Sequence, residues 1–348
     1  MAKKKGGIYK IFWLLIFVVL GAIAFVYLNK FVFKSHLKDK NYTYIFVSSN
    51  DSFDDVMQNI SSAEIFSEPK AFEWLAKSMG LNNKIQAGKY KILNGMSMRQ
   101  VVNLFKYNKQ EKVKLVYNYQ IHNLEEFIAY TDDKLEISAD ELEDLVSDEK
   151  VLADNFNLDP DNCFGMIVPG TYEVSWAISF NDFIKLLKEK YQSVWTDARK
   201  KQAQKIGLTV PDVITLASIV QSESSIAAEQ EKIAGVYLNR LNHNMPLQAD
   251  PTLKFANKNF DAQRVLNEDK RIASPYNTYK NKGLPPGPIC LAGVQAIDAT
   301  LNYMRHKYLF FCAKPQLNGY SDYSVTYEQH RKYANAYQQT LSKKGINR

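Results

Sequence analysis

The spacing of apolar positions changes several times along the chain, and each change marks an element. Residues 11–28 (IFWLLIFVVLGAIAFVYL) form an unbroken uncharged run. With Ile8 and Tyr9 in front, it reaches the ~20 residues that span ~30 Å of hydrocarbon as a helix. The apolar part of a cleaved signal peptide covers only ~7–15 residues. The length therefore predicts an uncleaved single-pass anchor over residues 8–29, although Ala22-Ile23-Ala24 has the small-x-small form of a cleavage site. A tail over 1–7 precedes the anchor and a linker over 30–40 follows it.

Residues 41–116 then alternate between strand-like and helical patterns. β-Branched and aromatic residues at 42–47 predict a strand. Residues 52–60 predict a helix, with Asp51 or Ser52 as N-cap before Phe53, Val56 and Ile60. A second helix is expected over 69–79, closed by Gly80. A strand over 89–93, a helix over 97–105 and an alternating strand over 113–117 complete this small α+β unit. It carries no cluster of histidine, cysteine or carboxylate, which suits a binding or spacer module.

The remaining stretch, 117–348, is expected to be mostly helical with some β structure, so the fold class is α+β. Residues 131–161 hold twelve acids against two lysines, the pattern of a solvated face of short helices. An apolar segment over 164–176 turns at Pro169-Gly170. Helices are expected over 180–198, over 211–224 with Pro211 in its first turn, and over 227–241. From 245 to 291 the chain is rich in proline, asparagine and tyrosine and loses periodicity. Long irregular stretches inside a compact domain are usually functional.

Composition narrows the function classes. Apolar residues make up 46% and charged residues 23%, as in ordinary globular chains. The net charge of +7 lies entirely in residues 1–40, which hold eight lysines and one acid. The rest is neutral overall, which argues against a nucleic-acid-binding domain, whose affinity rests on excess cationic charge. Lys3, Lys4, Lys5 and Lys10 before the apolar run point to a cytoplasmic N-terminus, although Lys30, Lys34 and Lys38 follow it. Anchor and cleaved leader alike export residues 41–348. The three cysteines, Cys163, Cys290 and Cys312, have no C-x-x-C spacing and no paired histidines, so no metal site is expected.

The candidate chemistry lies in 213–252 (VITLASIVQSESSIAAEQEKIAGVYLNRLNHNMPLQADPT). Glu223 stands where an apolar helical run meets a serine-rich break. A carboxyl there is partly desolvated, which raises its pKa toward that of a general acid at neutral pH. Taken alone, a glutamate near a helix end is more often solvated or capping.

ASIVQSES, KIAGVYLNRL, MPLQADPT and SPYNTYKNKGLPPGPI follow one another in the order seen in the YceG-like family of endolytic murein transglycosylases, which this chain resembles over nearly its whole length. The resemblance includes the N-terminal anchor, a LysM-like module over 41–116, a catalytic domain over 117–348 that it implies is lysozyme-like, and the VPGTYE segment. The family pattern in the first motif is ASI-V/I-E-K-E-T, whose second glutamate is the catalytic acid. Glu223 occupies that position, while Gln221 replaces the first glutamate and Ser224 the threonine. Gly170 stands where the family usually carries aspartate, so Thr171 and Tyr172 are given no catalytic role.

The resemblance implies a lytic cleavage of the β-1,4 bond between N-acetylmuramic acid and N-acetylglucosamine in nascent peptidoglycan strands, limiting strand length. Glu223 would protonate the leaving oxygen and then take the proton of the muramic acid's own C6 hydroxyl, leaving a 1,6-anhydro end. Ordinary glycosidases use two carboxylates. Here the substrate supplies the nucleophile, with the high effective molarity of an intramolecular attack. Gln248, Asn239, Arg240, Asp250, Tyr276, Asn277, Thr278 and Tyr279 in the matching motifs are the expected sugar contacts. No cofactor is required. The implied setting is the outer, periplasmic face of the cytoplasmic membrane, beside peptidoglycan synthases of the penicillin-binding class. Two other readings stand beside this one: a muramidase hydrolysing the same bond with water, and a non-catalytic glycan-binding scaffold.

Overall fold

The computed structural model describes residues 5–27, 33–37, 40–260, 262 and 265–343. These form helices and short strands, an α+β architecture, and divide into two compact units. The first takes the chain up to Lys114, with residues 134–136 and 173–178. The second holds 115–133, 137–172 and the chain from Ser179 onward.

The first unit opens with helix α1 (Lys5–Tyr27), whose large apolar side chains from Ile11 to Phe25 are mostly exposed. Among the described residues no single helix is long and apolar enough to cross a membrane, and the apolar stretch Lys10–Phe25 falls short of that length. Residues 28 and 29 of the expected anchor lie outside the described residues. Then come β1 (Tyr42–Val47), α2 (Phe53–Ser62), α3 (Pro69–Ser78), β2 (Gly88–Leu93) and α4 (Met98–Lys106). β1 and β2 pair antiparallel, with Tyr42 opposite Leu93 and Val47 opposite Gly88. Ser52 and Ser97 each close a capping box with the residue three positions on, Asp55 and Gln100, which satisfies the free amides of the first turn. Val56, Ile60, Phe72, Tyr90, Val101 and Phe105 meet in one core between sheet and helices.

β3 (Val113–Tyr117) and β4 (Gly170–Val174) pair with each other, and the division into units falls inside both strands. Between them the acidic region folds as α5 (Leu124–Lys134), α6 (Ala139–Ser147) and α7 (Glu149–Phe156), with Leu142, Leu145, Leu152 and Phe156 turned inward. The helix expected over 180–198 is two helices, α8 (Phe180–Val194) and α9 (Asp197–Lys205). The Thr196 hydroxyl accepts from the Arg199 amide and starts the second one.

α10 (Val210–Glu223) is the centre of the second unit. Every residue from Val213 to Val220 is buried, so the helix is covered on all sides. α11 (Ala227–Asn242), α12 (Asp250–Ala256) and α13 (Val294–Leu301) pack around it. α12 corrects the reading of 245–291 as wholly irregular: Pro251 sits in its first turn, where the missing amide costs nothing. A hairpin of β5 (Phe310–Ala313) and β6 (Ser321–Ser324) and a final helix α14 (Tyr327–Lys343) complete the chain.

Candidate active site

Glu223 is the last residue of α10, and Ser224 turns the backbone into an extended conformation. The apolar body of α10 carries the carboxyl to the edge of the core while the side chain keeps partial exposure. Tyr237, buried on the facing side of α11, donates its hydroxyl to Glu223 Oε1 at 2.7 Å. Burial is the dominant influence on this carboxyl and pushes it up to about 7. The bond from Tyr237 pulls the other way, the charge of Asp250 adds to the rise and that of Lys254 opposes it. The phenol of Tyr237 is raised in turn, first by burial and then by the neighbouring Glu223. It therefore stays protonated and remains a donor.

Glu223 is flanked by Gln221 and Ser222, which border an open cleft of about 690 Å³. Lys254 and Phe255 of α12, Phe260 and Tyr119 form other parts of its lining. His122 stacks on Phe260 with ring centroids 4.2 Å apart. Another cavity, of about 480 Å³, lies by Thr209 and Pro211 at the opposite end of α10. At 1.5 Å per residue that is about 20 Å from Glu223.

Gln221 does not tune the acid. Its amide donates to the carbonyl of Leu291 at 2.8 Å and accepts from the amide of Gly293 at 2.7 Å. It thereby clamps the segment that forms one wall of the cleft. A carboxylate could accept from Gly293 but could not donate to Leu291.

The other residues taken from the motifs divide into two groups. Asp250 and Tyr279 are brought together, the Tyr279 hydroxyl donating to Asp250 Oδ1, and both act electrostatically with Glu223. Gln248 is exposed, with φ +52°, and its Oε1 accepts from Arg240 at 3.2 Å. The rest, apart from Tyr276, bond to backbone. Asn239 donates to the carbonyls of His306 (2.8 Å) and Tyr308 (2.9 Å). Arg240, 7% exposed, binds the carbonyls of Leu309, Pro246 and Leu247. Asn277 is fully buried and holds the carbonyls of Lys270 and Ile272. Thr278 accepts from the Ala249 amide, and Tyr276 packs on Phe255 with centroids 4.6 Å apart. Irregular backbone in a buried region needs such partners. These side chains build the loop that carries the site. Tyr237 and Lys254 were not foreseen: a tyrosine on a buried helix reads as core, and a lysine on a short helix as solvated surface.

Among the described residues no group of three or more histidines, cysteines and acids is placed to hold a metal ion.

Fold and site together define an α+β protein that presents one desolvated carboxyl, at the end of a buried helix, beside an open cleft. The chain belongs to the YceG-like family, whose model matches residues 45–336. It is 30% identical over 334 residues to the endolytic murein transglycosylase of Bacillus subtilis, covering 90% of each chain. It is 33% identical over 156 residues to the endolytic murein transglycosylase of Streptococcus pneumoniae, a match over 43% of this chain and 28% of the other. The crystal structure of a YceG-like protein from Listeria monocytogenes shares its fold, with a TM-score of 0.55 and 24% identity over 84% of this chain and 98% of that one.

Proposed function

We propose that the protein is a peptidoglycan lytic transglycosylase whose general acid and base is Glu223. The observation that carries this reading is the state of that carboxyl: desolvated, raised to about 7, and held at one oxygen by Tyr237. Such an acid is protonated in a good fraction of molecules at neutral pH, as a leaving-group donor must be. The name borne by the B. subtilis and pneumococcal relatives supplies the substrate class.

With Oε1 occupied by the Tyr237 hydroxyl, Oε2 carries the proton to the glycosidic oxygen between N-acetylmuramic acid and N-acetylglucosamine. The C–O bond breaks toward the leaving sugar. The carboxylate then accepts the proton of the C6 hydroxyl as that oxygen bonds to C1, and the strand ends in a 1,6-anhydro ring. Asp250, the carboxyl that acts electrostatically on Glu223, is engaged by Tyr279. A mechanism needing one carboxyl fits this site better than one needing two.

The exposed apolar helix α1 supports an N-terminal membrane anchor over 8–29, with the lysines before it on the cytoplasmic side and the catalytic part on the outer face. In this reading residues 41–116 act as a LysM-like strand-binding module and 117–348 as the catalytic domain. The test uses the full chain in detergent with uncross-linked glycan strands, wild type beside Glu223→Gln. Anhydro-ended fragments from the wild type and none from the variant support the assignment. Cleavage by the folded variant at the wild-type rate would refute it.

A further inference from the structure

Lys254 lies on α12 and lines the cleft beside Glu223. Its ammonium makes no hydrogen bond and no ion pair with any described residue. The lysines on neighbouring segments are engaged: Lys258 pairs with Glu125 at 2.8 Å, Lys280 donates to the carbonyl of Arg271, and Lys270 lies 5.0 Å from the Tyr279 ring centroid. The side chain is half-buried. His122, also on the cleft lining, already faces Glu126 at 3.0 Å.

The rest of that lining includes neutral amides (Gln221, Gln230, Gln295) and aromatic rings (Phe255, Phe260, Tyr119), and among the described residues it contains no aspartate or glutamate. Lys254 acts electrostatically on Glu223, which is largely protonated below about pH 7, and Asp250, which also acts on Glu223, is bonded to Tyr279. Among the described residues the cleft therefore offers one free positive charge, that of Lys254, on a wall otherwise built for uncharged sugar rings and amides.

We propose that Lys254 is a substrate-binding residue that recognises a carboxylate on the strand near the bond being cleaved. The inference rests on the transglycosylase reading and deepens it. Two sources offer that group: the lactyl carboxylate of a muramic acid stripped of its peptide, and a carboxylate of an attached stem peptide. One charge-assisted bond changes affinity by on the order of tenfold.

The full chain is assayed on four defined strands: peptide-free, peptide-free with the lactyl group amidated, peptide-bearing, and peptide-bearing with its carboxylates amidated. Wild type is compared with Lys254→Met and Lys254→Arg, and KM and kcat are measured separately. Lys254→Met is expected to raise KM on the order of tenfold on at least one carboxylate-bearing strand, leave its amidated counterpart nearly unchanged, and be rescued by Lys254→Arg. The pair of strands that shows the effect identifies the source. Equal losses on charged and amidated strands, or none on either, would overturn the proposal. A wild type that forms no anhydro ends would instead defeat the underlying reading, so the two failures are distinguishable.

Discussion

The hydroxyl of Tyr237 donates to Glu223 Oε1 at 2.7 Å across the facing sides of α11 and α10. One buried tyrosine thus fixes which oxygen of the acid is free to move a proton. It also restrains the rise of the carboxyl's pKa, because a donor favours the charged form. Tyr237→Phe removes that restraint and nothing of the ring. The alkaline limb of the kcat–pH profile is expected to move to higher pH, while kcat on the plateau falls on the order of tenfold as the carboxyl loses its fixed orientation. A profile unmoved on the pH axis would mean that the tyrosine only packs.

The same carboxyl links stability to pH. Its folded-state pKa of about 7 lies above the ordinary value of 4.5. The folded protein thus holds the proton more tightly, and the stabilisation is complete below about pH 4.5 and lost as pH rises through about 7. Glu223→Gln keeps the shape without the charge. Chemical unfolding at about pH 5 and about pH 8 should show the wild type losing on the order of 2 kcal/mol relative to the variant. A difference that is flat with pH would contradict the burial of this group.

Gln221 holds the cleft wall through one donated and one accepted bond, to Leu291 and Gly293. Gln221→Glu should be tolerated when the new carboxyl is protonated and can still donate. When it ionises, it faces the Leu291 carbonyl without a hydrogen, at a cost of about 1–3 kcal/mol. Thermal unfolding should therefore separate the variant from wild type at about pH 8 and bring them together at about pH 5. Equal melting at both would show that the clamp contributes nothing.

Gly235, inside α11, is where the segment carrying Met304 and His306 crosses closest. A Cβ there would lie 2.5 Å from the Met304 carbonyl oxygen and 2.7 Å from His306 Nε2. Gly235→Ala gains helix propensity of about 1 kcal/mol but forces backbone apart, and overpacking of this kind costs about 1–3 kcal/mol or more. A net loss of stability is expected in denaturant titration. A stabilised variant would show that the crossing yields easily.

Much of the fold was legible because its signals are local. Ser52 and Ser97 begin helices through capping boxes that span four residues, and the β-branched and aromatic run over 42–47 forms a strand whose Ile45 and Val47 enter the core. Glu223 was legible as the end of an apolar run. What the pattern hid depends on distant chain. The break at Trp195 and Thr196 falls at the end of an amphipathic run, and the polar residues after it resume a helix without a buried face of their own. α12 is seven residues long, too short to show a period, and Asp250-Pro251 resembles a turn. The four-residue strands of the last hairpin are fixed by pairing with each other rather than by composition. Asn239, Arg240, Asn277 and Thr278 stand out as polar residues suited to a sugar, yet their bonds go to backbone that no helix or strand satisfies. Tyr237 shows the converse: a residue that sequence assigns to packing lies against the acid.

The most direct test of the account asks where the new oxygen bond comes from. Strands are cleaved by the full chain in water enriched in heavy oxygen, and the fresh muramic acid ends are analysed by mass spectrometry. Intramolecular attack assisted by Glu223 predicts 1,6-anhydro ends that carry no label. Reducing ends with one heavy oxygen per cleavage would contradict it and make the protein a hydrolase.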